Sequence, residues 1–309
     1  MNILMLGAGA MGSLLGARLS RTSARIVLFS TNQKHIEAIG RNSLTVEELD
    51  GSVSRFTIES YHHAHDIPIK ADLVIVMVKS YATRKAVSGV LQCCGDSTVF
   101  LTLQNGIGNW EQIAERVGEK SVLLGSTAQG ATLVDAGVIR HGGNGPTYIG
   151  EPRQGVSRRV RNVVDLFNEA GIKTEPSGRM EQLIWEKLHV NVGINAITAL
   201  TGIRNGFIPE TEAAAALCKA AVVEAMDVAG RKGFSIPGDM VDRVLGIARA
   251  TAINRSSMGQ DVDRKKRTEI DAINGAIVRA GDELGIPVPV NRTLTLLIKT
   301  LEAHYLKAQ

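Results

Sequence analysis

The sequence predicts an α/β protein in which an N-terminal doubly wound sheet is followed by an all-α C-terminal domain. Three observations carry this. Short apolar, β-branched runs alternate with helical patterns as far as residue 176. A glycine-rich loop, Gly7-Ala8-Gly9-Ala10-Met11-Gly12, stands between the first apolar run and the first helix. Beyond Arg179 strand signals vanish, and helical segments broken at Pro209, Pro237 and Pro287 take over. Pro176-Ser177-Gly178 marks the expected boundary, giving domains 1–176 and 177–309. At 309 residues, 44% hydrophobic and 21% charged, the chain can bury two cores.

Ile3-Leu4-Met5-Leu6 reads as a strand buried on both faces, and the G-x-G-x-x-G loop follows at once. In this place the glycines have separate jobs: a tight turn, close approach of backbone to a diphosphate, and close packing of helix on strand. The sheet is therefore of the Rossmann type and is expected to bind a dinucleotide. The second strand, Ile26 to Phe29, lacks the carboxylate near its end that would hold the ribose of NAD. Ser30-Thr31-Asn32-Gln33-Lys34 offers hydroxyls, amides and a cation instead, which favours NADP.

Ala71 to Lys79 and Val99 to Leu103 read as central strands, which places Lys79 and Asn105 at strand carboxyl ends, where ligands bind in such sheets. The bland alternatives are a lysine in solvent and an asparagine in a turn. Val122 to Gly125 reads as a further strand, and the Gly142 to Pro146 cluster punctuates an expected strand pair between Val138 and Ile149. His62, His63 and His65 are expected in a surface loop with no metal role, since no segment rich in Cys or carboxylates partners them.

In the second half, helical patterns cover Met180–Leu200, Thr211–Lys232, Gly238–Ala252, Asp263–Leu284 and Asn291–Leu306. The first carries Lys187, Asn191 and Asn195 at steps of four, hence on one face of an otherwise apolar helix. A desolvated ammonium costs several kcal/mol unless it meets a carboxylate or a ligand, so the stripe reads as a substrate floor; a lysine snorkelling to solvent is the alternative. Asn254 to Asp261 reads as a polar loop able to bind a carboxylate, with Glu269 in the helix after it. The basic run Arg264 to Arg267 is closely flanked by Asp261, Asp263, Glu269 and Asp271, so it reads as a solvated helix face and not a nucleic-acid patch.

Net charge +4 and a pI near 9.0 suit an anionic small molecule without requiring nucleic acid. No apolar run approaches the ~18 residues that span a bilayer. Three cysteines without disulfide or zinc spacing fit a reduced compartment, and the chain opens on a strand instead of a basic n-region, so a cytoplasmic protein is expected.

GAGAMG, VKS around Lys79, QNG at Gln104 to Gly106, KLHVNVGINAITAL from Lys187, SSMGQD at Ser256 to Asp261 and TEID at Thr268 to Asp271 together resemble the ketopantoate reductases, 2-dehydropantoate 2-reductases, over nearly the whole length. The resemblance implies NADPH-dependent reduction of a small-molecule 2-keto acid on the route to pantothenate and coenzyme A. It implies Lys187 as general acid with Glu269 beside it; Asn105, Lys187, Asn191, Asn195, Asn205 and Ser257 on the substrate; and Gly7 to Gly12, Lys79, Asn105, the Ala131 backbone and Glu269 on the cofactor. Thr31 stands about where many members carry arginine, a departure at the 2′-phosphate site. A homodimer is one form such a chain could take. Two other readings compete: a related dehydrogenase acting on another 2-keto or β-hydroxy acid, and a non-catalytic NADP(H) sensor. A sensor would leave Lys187, Asn191, Asn195, Ser257 and Glu269 with nothing to do.

Overall fold

Ile3, Leu4, Met5 and Leu6 are all fully buried, which accounts for the unbroken apolar run at the start of the chain. The computed structural model describes residues 1–153 and 155–307. It divides into two units, Met1–Gln104 with Asn109–Glu181, and Asn105–Gly108 with Gln182–Gln309.

The first unit contains β1 (Asn2–Leu6), α1 (Ala10–Leu19), β2 (Arg25–Phe29), α2 (Gln33–Asn42), β3 (Leu44–Glu47), β4 (Val53–Phe56), β5 (Glu59–Tyr61), β6 (Ala71–Val76), α3 (Thr83–Gly89), β7 (Cys94–Thr102), α4 (Asn109–Val117), β8 (Val122–Asp135), β9 (Val138–Gly150), α5 (Arg158–Glu169) and β10 (Thr174–Pro176). The sheet order is β4-β3-β9-β8-β7-β6-β1-β2-β5, with β10 paired to β9. β2 and then β5 lie on one side of β1, and β6, β7 and β8 on the other, all parallel, while β3 and β4, which come between β2 and β5 in the chain, lie at the opposite edge beyond β9. The change of side makes the β1–β6 junction the switch point of the sheet. Ile3 and Met5 face a core with Leu14 of α1, Ile39 of α2 and Phe167 of α5, whereas Leu4 and Leu6 face one with Val87 of α3 and Ile113 of α4. The period of two in β1 thus separates the two helical layers. This is the doubly wound arrangement the sequence predicts.

The glycine cluster does not divide two strands, however. β9 runs unbroken from Val138 to Gly150, antiparallel to β8, with irregular register near Gly130. A Cβ on Gly145 would lie 2.5 Å from that of Ala128, so glycine here lets two strands approach. Gly142, Gly143 and Gly145 are not among the positive-φ residues, so nothing in their backbone ends the strand.

In the second unit, α6 (Met180–Thr201) is followed by α7 (Phe207–Glu210), α8 (Glu212–Arg231), α9 (Met240–Ala250), α10 (Ser257–Asp263), α11 (Asn274–Leu284) and α12 (Pro289–Lys307). Leu188, Val192, Ile194 and Ile197 of α6 are buried. A Cβ on Gly193 would lie within 2.9 Å of the side chains of Val222, Cys218 and Val244, so that glycine permits close contact of α6 with α8 and α9. The helix expected from Asp263 to Leu284 forms only from Asn274 onward, as α11; α10 ends at Asp263, and between the two stands a non-α stretch with a short 3-10 turn at Ile270–Ala272. Side chains of α12 take the backbone groups that a helix would use. The Thr268 N–H donates to Glu302 Oε1 at 2.6 Å, and the Tyr305 hydroxyl donates to Lys266 O at 2.6 Å. Glu269 therefore lies in a connector and Arg264 to Arg267 are exposed without being helical. The loop expected at Asn254 to Asp261 is likewise helical from Ser257 onward. Among the described residues no helix is long and apolar enough to cross a membrane.

Candidate active site

Gly7 ends β1 at φ +107°, and a Cβ there would lie 2.5 Å from Val78 N, beside the end of β6. Its N–H and that of Ala8 both donate to Phe29 O at 2.9 Å, tying the loop to the end of β2. A Cβ on Gly12 would overlap Gly7 O. Gly9 differs, because nothing lies within 4 Å of its Cβ position, and α1 starts from it with no side-chain cap. Exposed Gly9 and half-buried Ala10 and Met11 present open backbone at a helix N-terminus, a donor set that fits the diphosphate of a dinucleotide.

Thr31 is exposed just past β2, and Asn32 caps α2 by accepting from the His35 N–H. Lys34 is exposed in the first turn of α2. Lys79, half-buried, follows β6. Gln104 ties the ends of β6 and β7 by donating from Nε2 to Val78 O at 2.7 Å and to Thr83 Oγ1 at 2.8 Å. Ala131 is half-buried in β8, paired with His141 of β9.

In the second unit Lys187, Asn191 and Asn195 follow one another along α6; Asn195 is buried and the other two are half-buried. The Nδ2 atoms of Asn191 and Asn195 are buried without a hydrogen-bond partner. Each such donor costs about 1–3 kcal/mol, a penalty that a ligand's acceptors would remove. Desolvation pushes the Lys187 ammonium down to about 8, while the Glu269 carboxylate acts to raise it. Glu269 itself is buried. An ammonium so poised holds a proton near neutral pH yet surrenders it readily.

Asn105 joins the same unit through its neighbours. The Ile107 N–H donates to Ala272 O at 3.2 Å, and at Gly106 (φ +83°) a Cβ would overlap that carbonyl. The Ala272 N–H in turn donates to Glu269 O at 3.0 Å, so the segments bearing Asn105 and Glu269 are joined.

Asn205 is buried, donating from its backbone N–H to Asn254 O at 3.1 Å and from Nδ2 to Thr251 Oγ1 at 3.0 Å. Its Oδ1 has no partner. Ser257 is exposed at the first position of α10. Its neighbour Ser256 is committed to structure, accepting from the Gly259 N–H at 3.0 Å and from the Thr198 hydroxyl at 2.7 Å. Arg255 braces the turn by donating to both Asp263 oxygens at 2.8 Å and to Ile203 O at 3.0 Å. Thr198, Arg255 and Ser256 are absent from the set the sequence suggests. Thr198, three residues beyond Asn195, extends the α6 stripe by one helical step and was legible by that rule; no comparable spacing marks the other two.

A doubly wound sheet, an open glycine loop at its switch point and a helical unit with a half-buried, desolvated lysine define a nicotinamide-nucleotide oxidoreductase. Ketopantoate reductase PanE/ApbA matches residues 3–154, and its C-terminal counterpart matches residues 179–302. The 2-dehydropantoate 2-reductase of Halobacterium salinarum is 37% identical over 299 residues, covering 97% of this chain and 98% of that protein. The crystal structure of a PanE/ApbA family ketopantoate reductase from Ralstonia eutropha JMP134 matches with a TM-score of 0.91 at 30% identity, covering 99% of this chain and 100% of that one. D-mandelate dehydrogenase with NADH and anilino(oxo)acetate shares the fold, with a TM-score of 0.92, 24% identity and 99% coverage of both chains. The chain belongs to the ketopantoate reductase family.

Proposed function

We propose that this chain reduces 2-dehydropantoate (ketopantoate) to pantoate with NADPH, the reductive step toward pantothenate and coenzyme A, in the cytoplasm. The observation that carries the reading is the α6 stripe, where a desolvated lysine beside a buried carboxylate shares a face with two unpartnered amide donors. Bound NADPH would supply the hydride. Gly7 to Gly12 would hold its diphosphate, and Lys79, Asn105 and the Ala131 backbone would contact the rest of the nucleotide. With no carboxylate from Ser30 to Lys34, the Thr31 hydroxyl and the Lys34 cation suit a 2′-phosphate.

Reduction of a 2-keto acid builds negative charge on the carbonyl oxygen. Lys187 Nζ stabilises that charge and then gives its proton to the oxygen. Glu269 keeps the lysine charged in a desolvated place. The exposed Ser257 hydroxyl is suited to the substrate carboxylate, while Asn191, Asn195 and Asn205 offer unpartnered amide atoms to its oxygens and hydroxyl.

A panel of 2-keto acids, branched, hydroxymethylated and aryl, assayed with NADPH and with NADH, tests the assignment. The highest kcat/KM is expected for ketopantoate with NADPH. Equal kcat/KM for the two nucleotides would remove the 2′-phosphate assignment, and preference for an aryl 2-keto acid would remove the substrate assignment.

A further inference from the structure

We propose that Asn274 is a positioning residue for the Lys187–Glu269 pair, because its buried amide pins the segment carrying Glu269 to the α6 backbone between Asn191 and Asn195. The inference rests on the roles given to Lys187 and Glu269 above.

Asn274 opens α11 and is fully buried. Its Nδ2 donates to Val192 O of α6 at 3.3 Å and to Asn291 Oδ1 of α12 at 2.9 Å. Asn291, also fully buried, donates from Nδ2 to Ala221 O at 2.9 Å and to the Glu224 carboxylate at 2.8 Å. That carboxylate further accepts the N–H groups of Val290 and Asn291 at 2.8 and 2.9 Å.

The ends of this chain dictate its direction. Glu224 and the Ala221 carbonyl can only accept, so Asn291 turns its NH₂ to them and its oxygen to Asn274; Asn274 must then turn its NH₂ to Asn291, and the same group reaches Val192 O. Asn274 Oδ1 is left buried with no partner. An apolar side chain of similar size would avoid that cost, so it is the donating half of the amide that the site uses.

Little slack separates Asn274 from Glu269. The Ala272 and Ile273 N–H groups donate to Glu269 O and Ile270 O at 3.0 and 3.2 Å, and a Cβ on Gly275 would lie 3.1 Å from Ile270 O. A shift at Asn274 is therefore passed to Glu269, and through the Ile107–Ala272 bond to the segment bearing Asn105.

The test is a double-mutant cycle on the full-length chain with Asn274→Ala, Glu269→Gln and the pair, with Lys187→Ala beside them. Asn274→Ala is expected to lower kcat on the order of tenfold, the scale of a small misplacement of reacting groups. NADPH affinity by fluorescence titration should change by less than kcat does, because Asn105 is reached only indirectly, through the Ile107–Ala272 bond. In the Glu269→Gln background the further loss should shrink to less than about twofold, because both changes act on one element. Equal losses in both backgrounds, or an unchanged kcat with only a lower Tm, would overturn the inference. Should Asn274→Ala fail to fold, Asn274→Asp keeps the shape but sets an acceptor against Val192 O and Asn291 Oδ1; it should lose at least as much kcat, and a wild-type kcat would equally overturn the inference. If Lys187→Ala and Glu269→Gln lose activity while Asn274→Ala does not, only the positioning role fails. A fully active Lys187→Ala would bring down the underlying assignment and this inference with it.

Discussion

Lys187 has to carry a proton when the keto acid arrives and release it as the alcohol forms. Because burial brings its pKa down to about 8, the protonated form is lost in a pH range where an ordinary lysine stays charged. For reduction the sign follows directly: kcat/KM, which reports the free enzyme, should fall as pH rises through about 8. A profile flat to about pH 10, the ordinary lysine range, would mean that Lys187 is not the titrating acid. Ser257 carries the other single-residue expectation. As its hydroxyl is exposed while Ser256 does the capping, Ser257→Ala should leave the fold alone. It should raise KM for the keto acid by the equivalent of about 1.5–3 kcal/mol, the worth of a hydrogen bond to a charged group, and leave the NADPH KM in place. The reverse pattern would move Ser257 to the nucleotide.

At the scale of elements, the glycine loop divides into positions that hold its shape and one that faces outward. Gly9→Ala meets open space, so the protein should melt like wild type yet bind NADPH more weakly, since the new methyl stands where the diphosphate would approach. Gly7→Ala, with a positive φ and backbone 2.5 Å from the added carbon, should lower Tm. Identical behaviour of the two variants would contradict this division. What could be read from the sequence has the same logic. The β1 run and the α6 stripe are patterns within one element, set by its own period, and they were legible. The break between α10 and α11 was not, because Glu302 and Tyr305, far along the chain, take the backbone groups that would have continued the helix. The continuity of β9 was hidden for a similar reason: its glycines answer to Ala128 on the neighbouring strand, and not to a turn. The bond from Thr198 to Ser256 and the chain from Asn274 through Asn291 to Glu224 likewise exist only between elements.

For the molecule as a whole, two buried histidines set an acid limit. Burial holds His35 and His189 below the usual imidazole value. His35 Nδ1 accepts from the Gly137 N–H at 2.9 Å, leaving Nε2 to donate to Ser13 Oγ at 3.0 Å, so a second proton would break the first bond. A folded-state pKa lowered in this way gives stability that is complete above the unfolded value of about 6.5 and is lost as pH falls below it. Carboxylates such as Glu48, held low by its hydrogen bond to Arg18, act only in more acid solution. Tm should therefore begin to fall between about pH 6.5 and 5, before the carboxylates titrate; a Tm that rises over that interval would contradict the neutral state of both histidines. The proposed chemistry of the whole molecule converges on Lys187, whose replacement by alanine tests it most directly. With ketopantoate and NADPH, kcat should drop roughly 10²- to 10⁴-fold, and kcat/KM at least as far, while NADPH affinity stays at the wild-type value. A Lys187→Ala protein with the circular dichroism of wild type that kept more than about a tenth of its kcat would contradict the assignment of Lys187 as the general acid.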